Sequence, residues 1–229
     1  KNKNTNYHYV LWHDVDRTIL IKHTEFEYKL PQLPEVSWMY LSSLADHSLP
    51  YHLEIVEFLK AHPETKLAFQ PGTFQIKLGA ETLKELYLRT EIFFCNVEEA
   101  EIISGIQSKE ILELSKSIKA LGPKIVSISD GPNGSNLYYN EELWNLPIYP
   151  DIATPIDRTG AGDAFASTFT AGLALGMPPV EAFTWGPINS MSVVQEIGAQ
   201  KGLLYREKIE EYLKTAPEDY RAKKFKKSF

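Results

Sequence analysis

Between residues 53 and 129 the chain switches repeatedly between two hydrophobic periods, and that alternation limits what it can fold into more than any other feature. Residues 53–62 put Ile55, Val56 and Leu59 on one helical face. Residues 66–70 (KLAFQ) read as a strand stopped by Pro71-Gly72, residues 80–88 as a helix and residues 92–95 (IFFC) as a strand. Helical patterns follow over 97–103 and 109–121, separated near Gly105, and then a strand over 124–129 (KIVSIS) that ends in the dense turn signal Asp130-Gly131-Pro132-Asn133-Gly134. Apolar runs of four to six residues alternating with amphipathic helices predict an α/β fold with a mostly parallel sheet.

The flanks extend this pattern. Residues 7–12 (YHYVLW) and 18–23 (TILIKH) read as a hairpin, and 38–42 as a short strand. Beyond the turn, short strands are expected at 136–139 and 143–147. Helices are expected over 162–175, with Phe165, Phe169 and Leu173 along one side, over 179–197 with a bend at Gly186-Pro187, and over 206–215. The basic end, residues 221–229, reads as a solvated, frayed tail.

Composition narrows the function. The net charge of -6 disfavours nucleic acid as a partner, since phosphate backbones select basic surfaces. A single cysteine, Cys95, excludes an internal disulfide and a Cys-rich metal site and fits a reducing cytoplasm. No apolar run is long enough to span a bilayer, and the start at Lys1 is polar rather than a signal peptide.

The chemistry concentrates in Thr159-Gly160-Ala161-Gly162-Asp163-Ala164-Phe165, a run of small residues leading straight into an amphipathic helix. Glycines let the backbone approach a ligand, and a helix start offers unpaired N–H groups and a positive dipole end, so the segment predicts a phosphate site. Asp163, in the first turn, is then either a favourable helix-start charge or a base that takes a proton from an attacking hydroxyl. The loop is not a Walker sequence, and the His-Arg-Asp and Asp-Phe-Gly pieces of protein kinases are absent. A dinucleotide-binding loop would open the first βα unit, whereas this one comes late.

The segment Asp157-Arg158-Thr159-Gly160-Ala161-Gly162-Asp163-Ala164-Phe165 resembles the C-terminal signature of the ribokinase/PfkB carbohydrate kinases, usually D-T-x-G-A-G-D, with Arg158 in place of the commoner Thr or Pro and expected to point outward. The resemblance implies a ribokinase-like three-layer α/β/α fold, and ATP-dependent phosphorylation of a sugar or nucleoside. It implies Asp163 as general base, with the backbone of Gly160, Ala161 and Gly162 around the transferring phosphoryl group. Asn96-Val97-Glu98-Glu99 is similar to the family's N-x-x-E motif, which implies that Asn96 and Glu99 organise Mg²⁺ and phosphate through water; a helix cap with a capping-box glutamate is the competing explanation. By the same resemblance Ser129, Gly131 and Gly134 touch ATP, with an ordinary tight turn as the alternative. Asn189 stands near the adenine, or faces solvent. Asp157, Thr159, Gly198 and Gly202 are the implied ligands of a K⁺ ion.

The family's N-terminal sugar-binding strand and its Gly-Gly-x-x-x-Asn segment have no counterpart here. The expectation is one N-terminally truncated kinase domain over residues 1–229, with an unprotected sheet edge and with residues 7–23 as the remnant of a small β lid through which two copies could pair. A non-catalytic nucleotide-binding module is the alternative function.

Overall fold

The computed structural model describes residues 3–13, 16–22 and 24–225. Two strands, β1 (Tyr7–His13) and β2 (Asp16–Lys22), pair antiparallel and stand apart from the main sheet. Residues 14 and 15, residue 23, where the second strand is expected to end, and residues 226–229 of the expected tail lie outside the described residues. Tyr7, Tyr9, Val10, Leu11, Ile19, Leu20 and Ile21 are exposed, so both faces of the hairpin present apolar side chains.

The main sheet comprises β3 (Trp38–Leu41), β4 (Lys66–Phe69), β5 (Thr90–Asn96), β6 (Ile125–Ser129), β7 (Ser135–Tyr139), β8 (Glu142–Leu146) and β9 (Lys223–Lys224), in that spatial order. β3 to β6 are parallel, whereas β7, β8 and β9 add on antiparallel. Among the described residues β3 forms one edge of the sheet and β9 the other.

The pleat sorts the strand residues into two cores. Leu67, Phe69, Phe93, Cys95, Val126 and Ile128 face one layer of helices, which includes α1 (Leu49–Ala61), α3 (Lys84–Arg89), α4 (Val97–Ser104) and α5 (Ile111–Ala120). Ala68, Ile92, Phe94 and Ile125 face the other, made of α6 (Ala161–Ala174), α7 (Pro179–Phe183), α8 (Trp185–Val193) and α9 (Arg206–Lys214). Strands buried on both faces read as continuous apolar runs, as IFFC and KIVSIS do. The result is a three-layer α/β/α arrangement.

Four local expectations change. Helix α1 begins at Leu49 rather than near 53, because Pro50 fits a first turn, where its missing N–H costs nothing. The short helix α2 (Thr73–Leu78) follows Pro71-Gly72 unannounced; its cap uses the Gln75 side chain, which accepts from Gly72 N at 2.8 Å. The helix expected over 179–197 is two, meeting at Thr184 ahead of Gly186-Pro187. The basic end is anchored at its start: Lys223–Lys224 pairs with β8, Phe225 N donates to Leu143 O at 2.7 Å, and Lys224 pairs with Glu142.

A buried polar hub fixes the turn after β4. His52, 1% exposed, donates from Nδ1 to Ser48 O at 2.8 Å and accepts at Nε2 from Gln75 Nε2 at 3.0 Å. Gln75 Nε2 also donates to Ser42 O at 3.0 Å. Burial holds the His52 imidazole below its ordinary value of 6.5 despite the Ser48 carbonyl. As the pH falls through 6.5 the unfolded chain takes up a proton that the folded chain refuses, so folding stability declines. We expect the urea midpoint to fall between pH 7.5 and pH 5.5 with a slope that His52→Gln flattens, read by intrinsic fluorescence; an unchanged slope would assign the effect to another group.

Candidate active site

Three parallel strands end side by side, and each delivers a polar residue there: Gln70 just beyond β4, Asn96 at the end of β5 and Ser129 at the end of β6. In open α/β sheets this is where ligands bind. The N-terminus of α6 comes to the same place and closes a cavity of about 250 Å³, whose lining includes Gln70, Asn96, Glu99, Gly160, Gly162 and Asp163.

The cradle at α6 has identifiable parts. Gly160 is the N-cap with φ +83°, and it supplies no side-chain cap. Ala161 N donates to Arg158 O at 3.3 Å and Ala164 N to Gly160 O at 2.8 Å, which leaves the first-turn N–H groups of Gly162 and Asp163 without an intrahelical acceptor. A Cβ on Gly160 would lie 2.5 Å from the Ala199 Cβ, so both conformation and packing require glycine there. A Cβ on Gly162 meets nothing closer than Gln70 Nε2 at 4.0 Å. Packing therefore does not require that glycine, and a methyl there would enter the space in front of the cradle.

Asp163 is exposed on this turn, and its Oδ1 accepts from Gln70 Nε2 at 3.1 Å. Asn96 and Glu99 form a reciprocal capping box: Glu99 N donates to Asn96 Oδ1 at 2.8 Å, and Asn96 N to Glu99 Oε2 at 3.0 Å. The cap and the cavity lining are thus the same residues. Burial pushes the Glu99 carboxyl above its ordinary value; the Asn96 N–H opposes this, and the charges of Glu98 and Asp163 add to it.

A second cavity of about 330 Å³ adjoins the first, and the two share Ser129, Arg158, Gly162 and Phe165. Ile148, Tyr149, Pro155, Phe165, Met191 and Val194 give it apolar walls, and Gly131 and Gly134 lie at its edge. Gly134 has φ +92°, and a Cβ there would lie 2.2 Å from Leu146 O, so the turn needs glycine for its own geometry. The buried hydroxyls of Ser135 in this cavity and of Ser127 in the first have no hydrogen-bond partner among the described residues.

Two sequence expectations fare differently. Asn189 is not brought to either cavity. It is 5% exposed, with Nδ2 donating to Thr168 Oγ1 at 2.7 Å and Oδ1 accepting from Leu204 N at 2.9 Å. It faces neither solvent nor either cavity; it ties α8 to α6 and to the segment before α9, while its neighbours Pro187, Ser190 and Met191 line the second cavity. Arg158 is exposed, as an outward residue would be, yet it lines both cavities and is the one cationic residue among their linings.

Asp157 is buried, accepting from Thr159 N at 2.7 Å on Oδ1 and from Gly198 N at 3.0 Å on Oδ2, so three of the four expected cation ligands converge. Gly202 has a packing reason instead: a Cβ there would lie 2.5 Å from Ser192 O. Among the described residues no group of three or more His, Cys, Asp or Glu could hold a metal.

Sequence reasoning missed Gln70, Arg158 as a lining residue, and the apolar wall. The position of Gln70, between a strand and Pro71-Gly72, was an available signal, because strand ends carry the sites in such folds.

Parallel strands ending at a helix N-terminus, with a carboxylate on its first turn and an apolar cavity alongside, place the candidate site at the carboxyl edge of an α/β sheet. The model of the pfkB family of carbohydrate kinases matches residues 2–204, and this chain belongs to that family. It is 33% identical over 120 residues to a cytidine kinase of Thermococcus kodakarensis, covering 52% of this chain and 42% of that protein. It is 27% identical over 154 residues to a nucleoside kinase of Methanocaldococcus jannaschii, covering 67% and 49%. The chain thus spans about half the length of these relatives or less. Among solved structures it resembles an Arabidopsis thaliana ribokinase complexed with ribose and ATP, with TM-score 0.73, 19% identity and coverage of 93% of this chain and 70% of that one. It also resembles the Methanocaldococcus jannaschii nucleoside kinase, with TM-score 0.67, 22% identity and coverage of 81% and 58%. These likenesses establish a ribokinase-like fold. No helix among the described residues is long and apolar enough to cross a membrane.

Proposed function

We propose that this chain carries the nucleotide and proton-transfer half of an ATP-dependent kinase acting on a hydroxyl of a sugar or nucleoside. The observation that carries this reading is Asp163 on the cradle turn, in one cavity with Asn96 and Glu99 and beside a separate apolar cavity. The apolar walls suit a purine base. The phosphates then pass the junction at Ser129 and Gly162 to the N–H groups of α6. Asp163 takes the proton of the acceptor hydroxyl as its oxygen bonds to the γ-phosphorus, the bond from that phosphorus to the β,γ-bridging oxygen breaks and ADP leaves with that electron pair, and the Gly162 and Asp163 amides stabilise the charge that develops.

A Mg²⁺ ion fits this donor set, since it keeps several waters and needs few protein carboxylates. Glu99 Oε1, the oxygen not engaged in the cap, would accept from one of its waters, and Asn96 Nδ2, a donor, would meet a phosphate oxygen. When bound, it would neutralise phosphate charge. A K⁺ ion there would share the Asp157 carboxylate with the Thr159 and Gly198 N–H groups that donate to it, and would order the segment leading into the cradle. The apolar faces of the β1–β2 hairpin support its role as a lid element and as the pairing surface of a homodimer.

Arg158 gains a role here. Its position at the junction puts a guanidinium where the phosphates pass, and no other cation lines either cavity. We expect Arg158→Ala to lower kcat by roughly 30-fold, less than the loss of a shielded oxyanion donor because the side chain is exposed. Arg158→Lys should recover part of it, and Arg158→Ala kinetics equal to the parent's would remove the residue from the site.

The deciding experiment measures phosphate transfer from MgATP to a panel of sugars and nucleosides by the intact protein. Calorimetric binding of MgATP without transfer to any acceptor would sink the kinase reading and leave a nucleotide-binding module.

A further inference from the structure

Resting on the kinase reading above, we infer that Gln70 is the positioning residue of Asp163, and that Tyr40 acts on Asp163 only through Gln70. The three residues come from three elements. Tyr40 is on β3, opposite Ala68 of β4; Gln70 is the first residue beyond β4; Asp163 is in the first turn of α6, 93 residues further along the chain. The Tyr40 hydroxyl donates to Gln70 Oε1, and Gln70 Nε2 donates to Asp163 Oδ1 at 3.1 Å.

The direction of this relay is fixed at both ends. An ionised carboxylate only accepts, so it must meet the amide's NH₂ and not its oxygen. Burial, with the Asp163 charge behind it, pushes the Tyr40 phenol up, so it stays protonated and donates. Flipping the Gln70 amide would set oxygen against carboxylate at one end and place its NH₂ against the phenol at the other.

Gln70 is itself held. Its N donates to Leu41 O at 2.9 Å, Pro71 restricts its backbone, and the next residue, Gly72, is pinned by Gln75, which His52 holds in turn. Gly72 also lies so close to Ser43 that a Cβ would come within 2.0 Å of its hydroxyl oxygen.

The consequence concerns geometry. Asp163 is exposed on a helix turn, where a short carboxylate samples several rotamers. A general base needs one oxygen within hydrogen-bond reach of the proton it removes. Engaging Oδ1 fixes the carboxylate plane and leaves Oδ2 for the acceptor hydroxyl. The Gln70 amide is engaged at its oxygen by Tyr40 and at its NH₂ by Asp163, so its loss is expected to alter the chemical step more than ATP binding.

The test is a double-mutant cycle in the intact protein. Gln70→Leu is expected to lower kcat about 20-fold with KM for ATP within about twofold of the parent, since misplacing a catalytic group costs rate rather than ground-state binding. Tyr40→Phe is expected to lower kcat about fourfold in the parent and to have no effect in the Gln70→Leu background. Parental kcat in Gln70→Leu, or an equal Tyr40→Phe effect in both backgrounds, overturns the inference while the kinase reading stands. A readout independent of turnover is the side-chain amide NMR signal of Gln70. It should shift in Asp163→Asn and in Tyr40→Phe; a signal unmoved by both overturns the relay even if no acceptor is found. An active parent is what upholds the kinase reading, so the two can fail separately.

Discussion

Asp163→Asn is expected to lower kcat by about 1,000-fold while leaving MgATP affinity within a few-fold of the parent. The side chain is exposed and serves no core, so the melting temperature should hardly move. The asparagine keeps the shape of the carboxylate but cannot take a proton. Its amide also has to choose which atom to present to Gln70 Nε2, which sits 3.1 Å from Oδ1 in the parent. Turnover of the purified variant with the best acceptor of the panel, alongside isothermal calorimetry with MgATP, separates the two effects. Near-parental kcat would show that Asp163 is a helix-start charge and no base, the other reading its position allows.

Gly162→Ala should give a second large loss, with the opposite sign on stability. Within the protein a new methyl meets nothing closer than 4.0 Å, and alanine is favoured over glycine in a helix by up to about 1 kcal/mol. The variant should therefore melt at or slightly above the parent's temperature. Yet the methyl projects where a phosphate would approach the unpaired N–H groups, so kcat should fall by a factor on the order of 1,000, the upper end for a lost oxyanion donor. Gly160→Ala provides the contrast. There φ is +83° and the new Cβ would lie 2.5 Å from the Ala199 Cβ, so stability should fall by about 1–3 kcal/mol. Differential scanning fluorimetry with steady-state kinetics reads both. A Gly162→Ala protein as active as the parent would mean that no ligand approaches the α6 N-terminus.

The sequence carried the scaffold well because its signals were local. Buried parallel strands announced themselves as short apolar runs, and Pro71-Gly72 and the 130–134 turn marked strand ends that the structure keeps. The cradle was legible for the same reason: Gly160, Ala161, Gly162 and Asp163 are contiguous. What escaped depends on partners distant in the chain. Gln70 gains meaning only when α6 folds over β4, and Asn189 only when Thr168 and Leu204 take up both ends of its amide. Asn96 and Glu99 were the instructive pair. A cap and a cavity-lining pair are not exclusive, since one geometry makes the capping box and borders the cavity. The α2 helix is too short for a period to show, and β9 is two lysines whose strand character comes wholly from the edge of β8.

The sheet's strands lie in space in the same order as in the sequence, from β3 to β9. Each strand can therefore dock on one already made as the chain leaves the ribosome, with no later strand inserted between two earlier ones. The bond between Gln70 and Asp163 breaks this rule, since it joins residues 93 apart. Synthesis would thus lay down the platform first and bring Asp163 to it only once α6 has emerged. A nascent chain halted before residue 161 would hold most of the sheet and the Asn96 end of the cavity, but not Asp163.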